Sequence, residues 1–215
     1  GRRPAVTHHD EGEVRRLLAA ASLLLCYPEA STVERLPLLE GSVPALPVEA
    51  RDPVRRFTAW LSSTPLIDAQ SHYVEIFDRR RKACLYLTYF LNGDTRRRGM
   101  ALVEFKEAYQ AAGFDVAAGE LPDFLPVVLE FGSVGDVAVA LEQLARHRAG
   151  LEVLEKALAQ FSSPYADVVT ALLTVVPPAP AGPTAEELAF SGPPAEEVGL
   201  APFVPLESLK AGTRA

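Results

Sequence analysis

Residues Tyr73 to Phe131, YVEIFDRRRKACLYLTYFLNGDTRRRGMALVEFKEAYQAAGFDVAAGELPDFLPVVLEF, decide the fold. The stretch holds two cationic runs, Arg79-Arg80-Arg81-Lys82 and Arg96-Arg97-Arg98, each preceded by an aspartate. Between them Leu85 to Leu91 is so apolar and aromatic that it belongs in the centre of a core. Asn92-Gly93 ends that segment with residues that tolerate a left-handed backbone. Asp94 is placed to cap the next helix, whose buried stripe reads Ala101, Phe105, Ala108 and Ala112, and Gly113 stops it. Glu120-Leu121-Pro122-Asp123-Phe124 follows, and a helix interrupted or started at Pro126 reaches Phe131.

Working outward, helical signals continue on both sides, and no alternating strand pattern stands out. Toward the N-terminus, Val14, Leu17, Leu18, Ala21, Leu24 and Leu25 recur at the helical period, with Asp10 as N-cap and Pro28 as the stop. A weaker helix is expected from Thr32, then a loop over Gly41 to Asp52. Pro53 and Pro65 are expected in the first turns of the next two helices. The second of these carries Leu66, Ala69, Tyr73, Ile76 and Phe77 on one side. Toward the C-terminus, the stripes Val137-Leu141-Leu144, Leu154-Leu158-Phe161 and Val168-Leu172-Val176 predict three more helices. From Pro177 onward the chain holds eight of its eighteen prolines, so regular structure is not expected there. The predicted organisation is all-α: a flexible segment over 1–10, one helical domain over 11–176 and a Pro-rich irregular tail over 177–215.

Composition narrows the function. At 215 residues and 48% hydrophobic content the chain can bury a sizeable core. Its formal charge of −7 disfavours nucleic acid, which needs a basic face. Cys26 and Cys84 have no CxxC spacing and the four histidines are scattered, which is too little for a structural zinc site; reduced thiols in the cytoplasm are expected. No apolar run approaches the ~20 residues a membrane-spanning helix needs, so no stable membrane association is expected.

The remaining constellations favour binding over turnover. Glu120 and Asp123 have no evident second group for acid–base chemistry, and no nucleophile motif occurs. Asp123 is expected to interact with the first-turn N–H groups of its own helix. Asp68 and His72 share a helical face and read as a surface pair. Positive charge near a helix N-terminus costs roughly 0.3–1 kcal/mol per residue, so local stability does not explain the arginine runs. They read either as solvated and paired residues or as an anion site. Tyr73, Phe77, Tyr86, Tyr89 and Phe90 are spaced for packing, although tyrosines also suit a half-wet groove. Glu75 and Asp78 beside them would favour a basic amphipathic peptide.

Tyr73-Val74-Glu75-Ile76-Phe77-Asp78, Cys84 to Tyr89, Gly93 to Gly99 and Glu120 to Phe131 together resemble the NarJ family, the assembly chaperones of respiratory nitrate reductase within the TorD-like group. The resemblance is strongest over Tyr73 to Phe131, with Glu196 to Leu200 also similar. It implies a single-domain TorD-like helical bundle that is not an enzyme. It implies a client, the catalytic (alpha) subunit of respiratory nitrate reductase or its complex with the beta subunit, held by its N-terminal segment before membrane attachment. No cofactor would be bound permanently; contact with the molybdenum cofactor would be transient, during client loading. The expected client-binding residues are Tyr73, Glu75, Phe77, Asp78, Tyr86, Tyr89, Glu120, Pro122, Asp123, Phe124, Pro126 and Glu130. Where the wider TorD-like group has histidine after the motif aspartate, this chain has Phe124. The alternatives are a direct cofactor carrier using Arg79, Arg80, Arg81 and Lys82 or Arg96, Arg97 and Arg98, a chaperone of another molybdoenzyme, and a nucleic-acid-binding regulator. A monomer or weak homodimer is expected. Phe203, Leu206 and Leu209, with Lys210 and Arg214, form a short basic segment that could compete with a client for the groove.

Overall fold

Asp10 starts the first helix as its position requires: its carboxylate accepts a hydrogen bond from the Gly12 N–H at 3.0 Å. The structure, a computed structural model, describes residues 9–93, 95–117, 119–180 and 182–194. The expected Asp94 cap, most of the N-terminal segment, Glu196 to Leu200 and the Phe203 to Arg214 segment therefore lie outside the described residues. Helix α1 spans Glu11–Leu25 and buries the predicted stripe. Helix α2 spans Ala30–Ser42 and leads through a 3₁₀ turn, Val43–Ala45, into α3, Val48–Ser63.

The region Gly41 to Asp52 is thus largely helical, not the expected loop. Pro44 falls in the first turn of the 3₁₀ segment and Pro47 is the N-cap of α3, both positions where a missing N–H costs little. Val43, Leu46 and Ala50 are buried, so the turns are held by core contacts that punctuation in the sequence does not show. Pro53 consequently sits inside α3 and not at its start, buried beside Val54 and Phe57.

Helix α4, Leu66–Tyr73, runs on without a break into a π-helical turn, Val74–Asp78. After a 3₁₀ turn, Arg81–Ala83, the short α5 spans Leu87–Asn92 and α6 spans Arg96–Ala111. Helices α7 (Leu125–Val134), α8 (Val137–Arg146), α9 (Arg148–Gln160) and α10 (Tyr165–Leu173) complete the bundle. The expected stripe of α6 was only partly right. Phe105 and Tyr109 are its buried residues, while Ala101, Ala108 and Ala112 are half-buried, Ala112 packing against the core from its edge.

Helix α1 packs most extensively on α7, while α10 lies against α3, α9 and α1. Gly132 permits the close approach in the first pair. A Cβ there would stand 2.6 Å from Leu18 Cδ1 and 2.7 Å from Ala140 Cβ, too close for any side chain. Arg15 of α1 donates to the Gly135 carbonyl at 2.9 Å, closing the C-terminal end of α7. Tyr73 donates its hydroxyl to the Leu25 carbonyl and so closes the end of α1.

The Pro-rich segment is not wholly irregular. Helix α11, Ala185–Ser191, forms there and buries Ala185 and Leu188, with α9 as the helix it packs on. Thr184 and Glu187 make a reciprocal capping box, with the Glu187 N–H donating to Thr184 Oγ1 at 3.2 Å. That Thr-x-x-Glu signal outweighs the flanking prolines. Among the described residues no strand forms beyond an isolated antiparallel bridge, Tyr86 to Phe124. No helix among them is long and apolar enough to cross a membrane.

Candidate functional site

The acidic-proline segment is pinned from below by Asp123. The Asp123 side chain is fully buried. Its Oδ2 accepts from the Thr88 hydroxyl at 2.6 Å and the Thr88 N–H at 3.2 Å, while its main-chain carbonyl accepts from the Leu87 N–H at 3.0 Å. Two of the free N–H groups at the start of α5 are therefore satisfied by one residue from a distant part of the chain. Arg98 stands 3.7 Å from the same oxygen, donates to Thr88 Oγ1 at 3.3 Å and lies over the Tyr86 ring. The Asp123 side chain points inward, away from either cavity, and the helix it caps is α5, not its own. The expected local interaction gave way to a tertiary one because α7 begins later, at Leu125, with Pro126 in its first turn.

Above this latch the segment lines two cavities that share Phe124. One, of about 390 Å³, is walled by Tyr73, Phe77, Tyr86, Tyr89 and Phe124, with Asp78, Arg80 and Arg81 among its polar residues. Six of the expected client-binding residues meet here, since Asp78 belongs to the set as well. The π-helical turn supplies Phe77 and Asp78; such a turn is an α-helix carrying one surplus residue and is frequent at functional sites. The Tyr86 and Phe124 rings approach to 5.3 Å between centroids, so the wall is continuous across the β-bridge.

The second cavity, of about 470 Å³, is a groove with an apolar floor and an acidic rim. Phe124, Pro126, Val127 and Phe131 contribute to the floor, and Asp115, Glu120 and Glu130 are its carboxylates; no lysine or arginine lines it. Residues 127, 130, 131 and 134 fall at i, i+3, i+4 and i+7, so one face of α7 is presented to the groove. Its opposite wall comes from Ser22 and Cys26, at the end of α1. Ser22 donates to the Pro126 carbonyl at 2.8 Å and fixes that wall. The Cys26 thiol reports the field: burial raises its pKa, and Glu130, Glu120 and Glu29 raise it further.

The remaining expected residues fall apart from these cavities. Glu75 is tied to Arg79 at 3.4 Å and to Arg80 at 2.5 Å, on the far side of the turn. Arg80 also lies over the Phe161 ring. Pro122 contributes through its carbonyl, which accepts from Tyr109 at 2.7 Å. The first cationic run does not sit at an α-helix N-terminus. It follows the π-helical turn and enters the 3₁₀ turn. The two runs are divided: Arg79, Arg80 and Arg98 bond to carboxylates, while Arg81 and Lys82 make no ion pair with the described residues. Arg96 and Arg97 occupy the first turn of α6, exposed.

His72 pairs with Ser163, its Nε2 2.9 Å from Oγ, and not with Asp68. Burial lowers its pKa, with Glu75 opposing. Among the described residues no group of three His, Cys, Asp or Glu side chains could hold a metal. Sequence reading missed Thr88, Tyr109 and Asp115. Thr88 and Tyr109 act only through partners in a later segment, and a lone aspartate after Gly113-Phe114 carries no signal.

This set of packed helices is shared with a solved structure, described as a putative redox enzyme maturation protein from Archaeoglobus fulgidus. The TM-score is 0.55 at 22% identity, over 79% of this chain and 96% of that one. The fold is therefore that of an all-α, TorD-like bundle. Residues 44–171 match the family described as nitrate reductase delta subunit, and the chain belongs to that family. It is 31% identical over 162 residues to a probable nitrate reductase molybdenum cofactor assembly chaperone, NarJ, of Bacillus subtilis, covering 74% of this chain and 86% of that protein. Escherichia coli NarJ is 33% identical over 159 residues, 73% of this chain and 67% of the relative. The nitrate reductase-like protein NarX of Mycobacterium tuberculosis is 36% identical over 152 residues, 71% of this chain. The match spans only 23% of that longer protein.

Proposed function

We propose that this protein is an assembly chaperone for a nitrate reductase, acting by binding and without turnover. Its relatives named as nitrate reductase molybdenum cofactor assembly chaperones support the class of function. The finer reading is that it grasps the N-terminal segment of the catalytic subunit, alone or with the beta subunit, and keeps it open to cofactor insertion before membrane attachment. Contact with the molybdenum cofactor is then transient. The helical unit over 11–176 carries the binding surface.

The observation that carries this reading is the acidic-rimmed apolar groove beside the aromatic cavity, joined through Phe124. A basic amphipathic helix fits it: apolar anchors enter the floor, and cationic residues meet Asp115, Glu120 and Glu130. About four anchors at ~2 kcal/mol each give ~8 kcal/mol gross. Ordering a disordered peptide takes back ~2–5 kcal/mol, and micromolar affinity needs about −8 kcal/mol. Apolar contact alone falls short, so charge complementarity supplies part of the difference.

Calorimetric titration with the first thirty or so residues of the catalytic subunit, at low and high salt, tests this. Binding that weakens as salt rises is expected. Binding that is independent of salt removes the electrostatic component, and no binding at all overturns the reading.

A further inference from the structure

The largest cavity described, about 510 Å³, lies on neither wall of the acidic groove. It is enclosed by α5 and the preceding 3₁₀ turn, by α9, and by the segment from α11 to Pro194. Its chemistry is opposite to that of the groove. Arg81, Lys82 and Lys156 are among its lining residues, and no carboxylate is. None of the three cations forms an ion pair with any described residue, whereas Arg79 and Arg80 next in sequence share Glu75. Tyr89, Phe90 and Leu188 supply an aromatic and aliphatic wall.

The C-terminal wall is built closely. Gly93, at φ +55°, faces the Pro194 backbone, and a Cβ at that glycine would lie 1.8 Å from the Pro194 carbonyl oxygen. Only glycine admits the strap at this distance. A cavity in the ~300–1,000 Å³ range with an apolar wall and convergent polar groups has the dimensions of a small-molecule site. Three cations without ion-pair partners, two from the 3₁₀ turn and one from α9, line one cavity and favour a multiply charged anion, and the aromatic lining favours a flat partner.

We infer that this cavity binds a small phosphorylated heteroaromatic molecule, its planar ring against Tyr89, Phe90 and Leu188 and its phosphate or pyrophosphate held by Arg81, Lys82 and Lys156. The site is separate from the client groove, although Arg81 and Tyr89 also border the aromatic cavity. Lys82 and Lys156 line neither client cavity, so they test this site alone.

The experiment is calorimetric titration of the full chain with ADP, inorganic pyrophosphate and adenosine. ADP is expected to bind with one-to-one stoichiometry, pyrophosphate more weakly, and adenosine at least tenfold more weakly than ADP. The Lys82→Glu/Lys156→Glu pair should weaken ADP binding at least tenfold, and Lys82→Gln/Lys156→Gln should do so to a lesser degree. Helical circular dichroism and unfolding midpoint should not change, since both lysines are exposed. Lys106→Glu, an exposed change on α6 outside the cavity, should leave ADP affinity unaltered. Absence of ADP and pyrophosphate binding at millimolar concentration overturns the inference. So does equal binding by the Glu pair, or an equal loss from Lys106→Glu. Client-peptide affinity of the same variants reports separately on the chaperone reading.

Discussion

Asp123 and Glu120 lie three positions apart in one acidic segment, yet the first is wholly buried and the second lines an open groove. The buried carboxylate has an arginine, a hydroxyl and the Thr88 N–H all gathered on Oδ2, with the Leu87 N–H on the main-chain carbonyl. Its Oδ1 has no hydrogen-bond partner among the described residues. The exposed one has a neighbouring carboxylate field and apolar floor. The difference teaches that the segment has two halves, one that holds the molecule's own helices and one that lines an open groove. Charge tied to neighbouring helices through Oδ2 fixes the segment in place; charge at the rim stays in solvent.

The sharpest way to break this division is Asp123→Ala. It leaves Arg98 without its buried carboxylate and α5 without its cap, and should cost about 3–5 kcal/mol in urea unfolding. A loss under about 0.5 kcal/mol would place Asp123 with the surface acids. The converse change, Asp115→Asn/Glu120→Gln/Glu130→Gln, should leave stability within about 0.5 kcal/mol. The same triple variant should weaken client-peptide binding about tenfold, or ~1.4 kcal/mol, by calorimetry. Thr88→Val sharpens the buried half: losing the hydroxyl between Asp123 and Arg98 should cost about 1–2 kcal/mol while client affinity is preserved.

The smallest effect expected is in pH. His147 is buried, and burial lowers its pKa; the bond to the Gln143 carbonyl and the charge of Asp123 raise it partway back. His72 is also lowered by burial. A histidine whose folded pKa lies below its unfolded value, 6.5 here, is protonated first in the unfolded chain. Stability from these residues is therefore complete above that value and falls as the pH drops through it toward the folded pKa. The urea midpoint should be lower at pH 5 than at pH 7, and His147→Gln should flatten the slope. A midpoint that rises on acidification would contradict the burial of these rings.

Much of the bundle was legible because its stripes repeat at the helical period. The stripe of α1, the start of α7 at Pro126 and the order of α8 to α10 follow from single residues and their spacing. Where the fold departed from that reading, tertiary burial had overruled local punctuation. Leu46 and Ala50 draw a proline-rich stretch into helix, and Tyr109 displaces the expected alanine stripe. The candidate site was legible only as a set of residues that come together. Tyr73, Phe77, Asp78, Tyr86, Tyr89 and Phe124 do converge on one cavity. Which acid faces inward was not legible, because Asp123 is chosen by Thr88 and Arg98, on the other side of the latch. Lys156 carried no mark either; it joins Arg81 and Lys82 only when α9 folds against the 3₁₀ turn.

The π-helical turn at Val74–Asp78 has a consequence for how this chain tolerates length change. Each residue of an α-helix advances the face by about 100°. Removing one residue from this turn would restore ordinary pitch and swing everything after it by that angle relative to α4. Phe77 and Asp78 would leave the aromatic cavity together, and the arginines behind them would face new neighbours. The surplus residue is thus an angular setting, and a one-codon deletion there would dismantle one wall of the aromatic cavity while sparing most of the core.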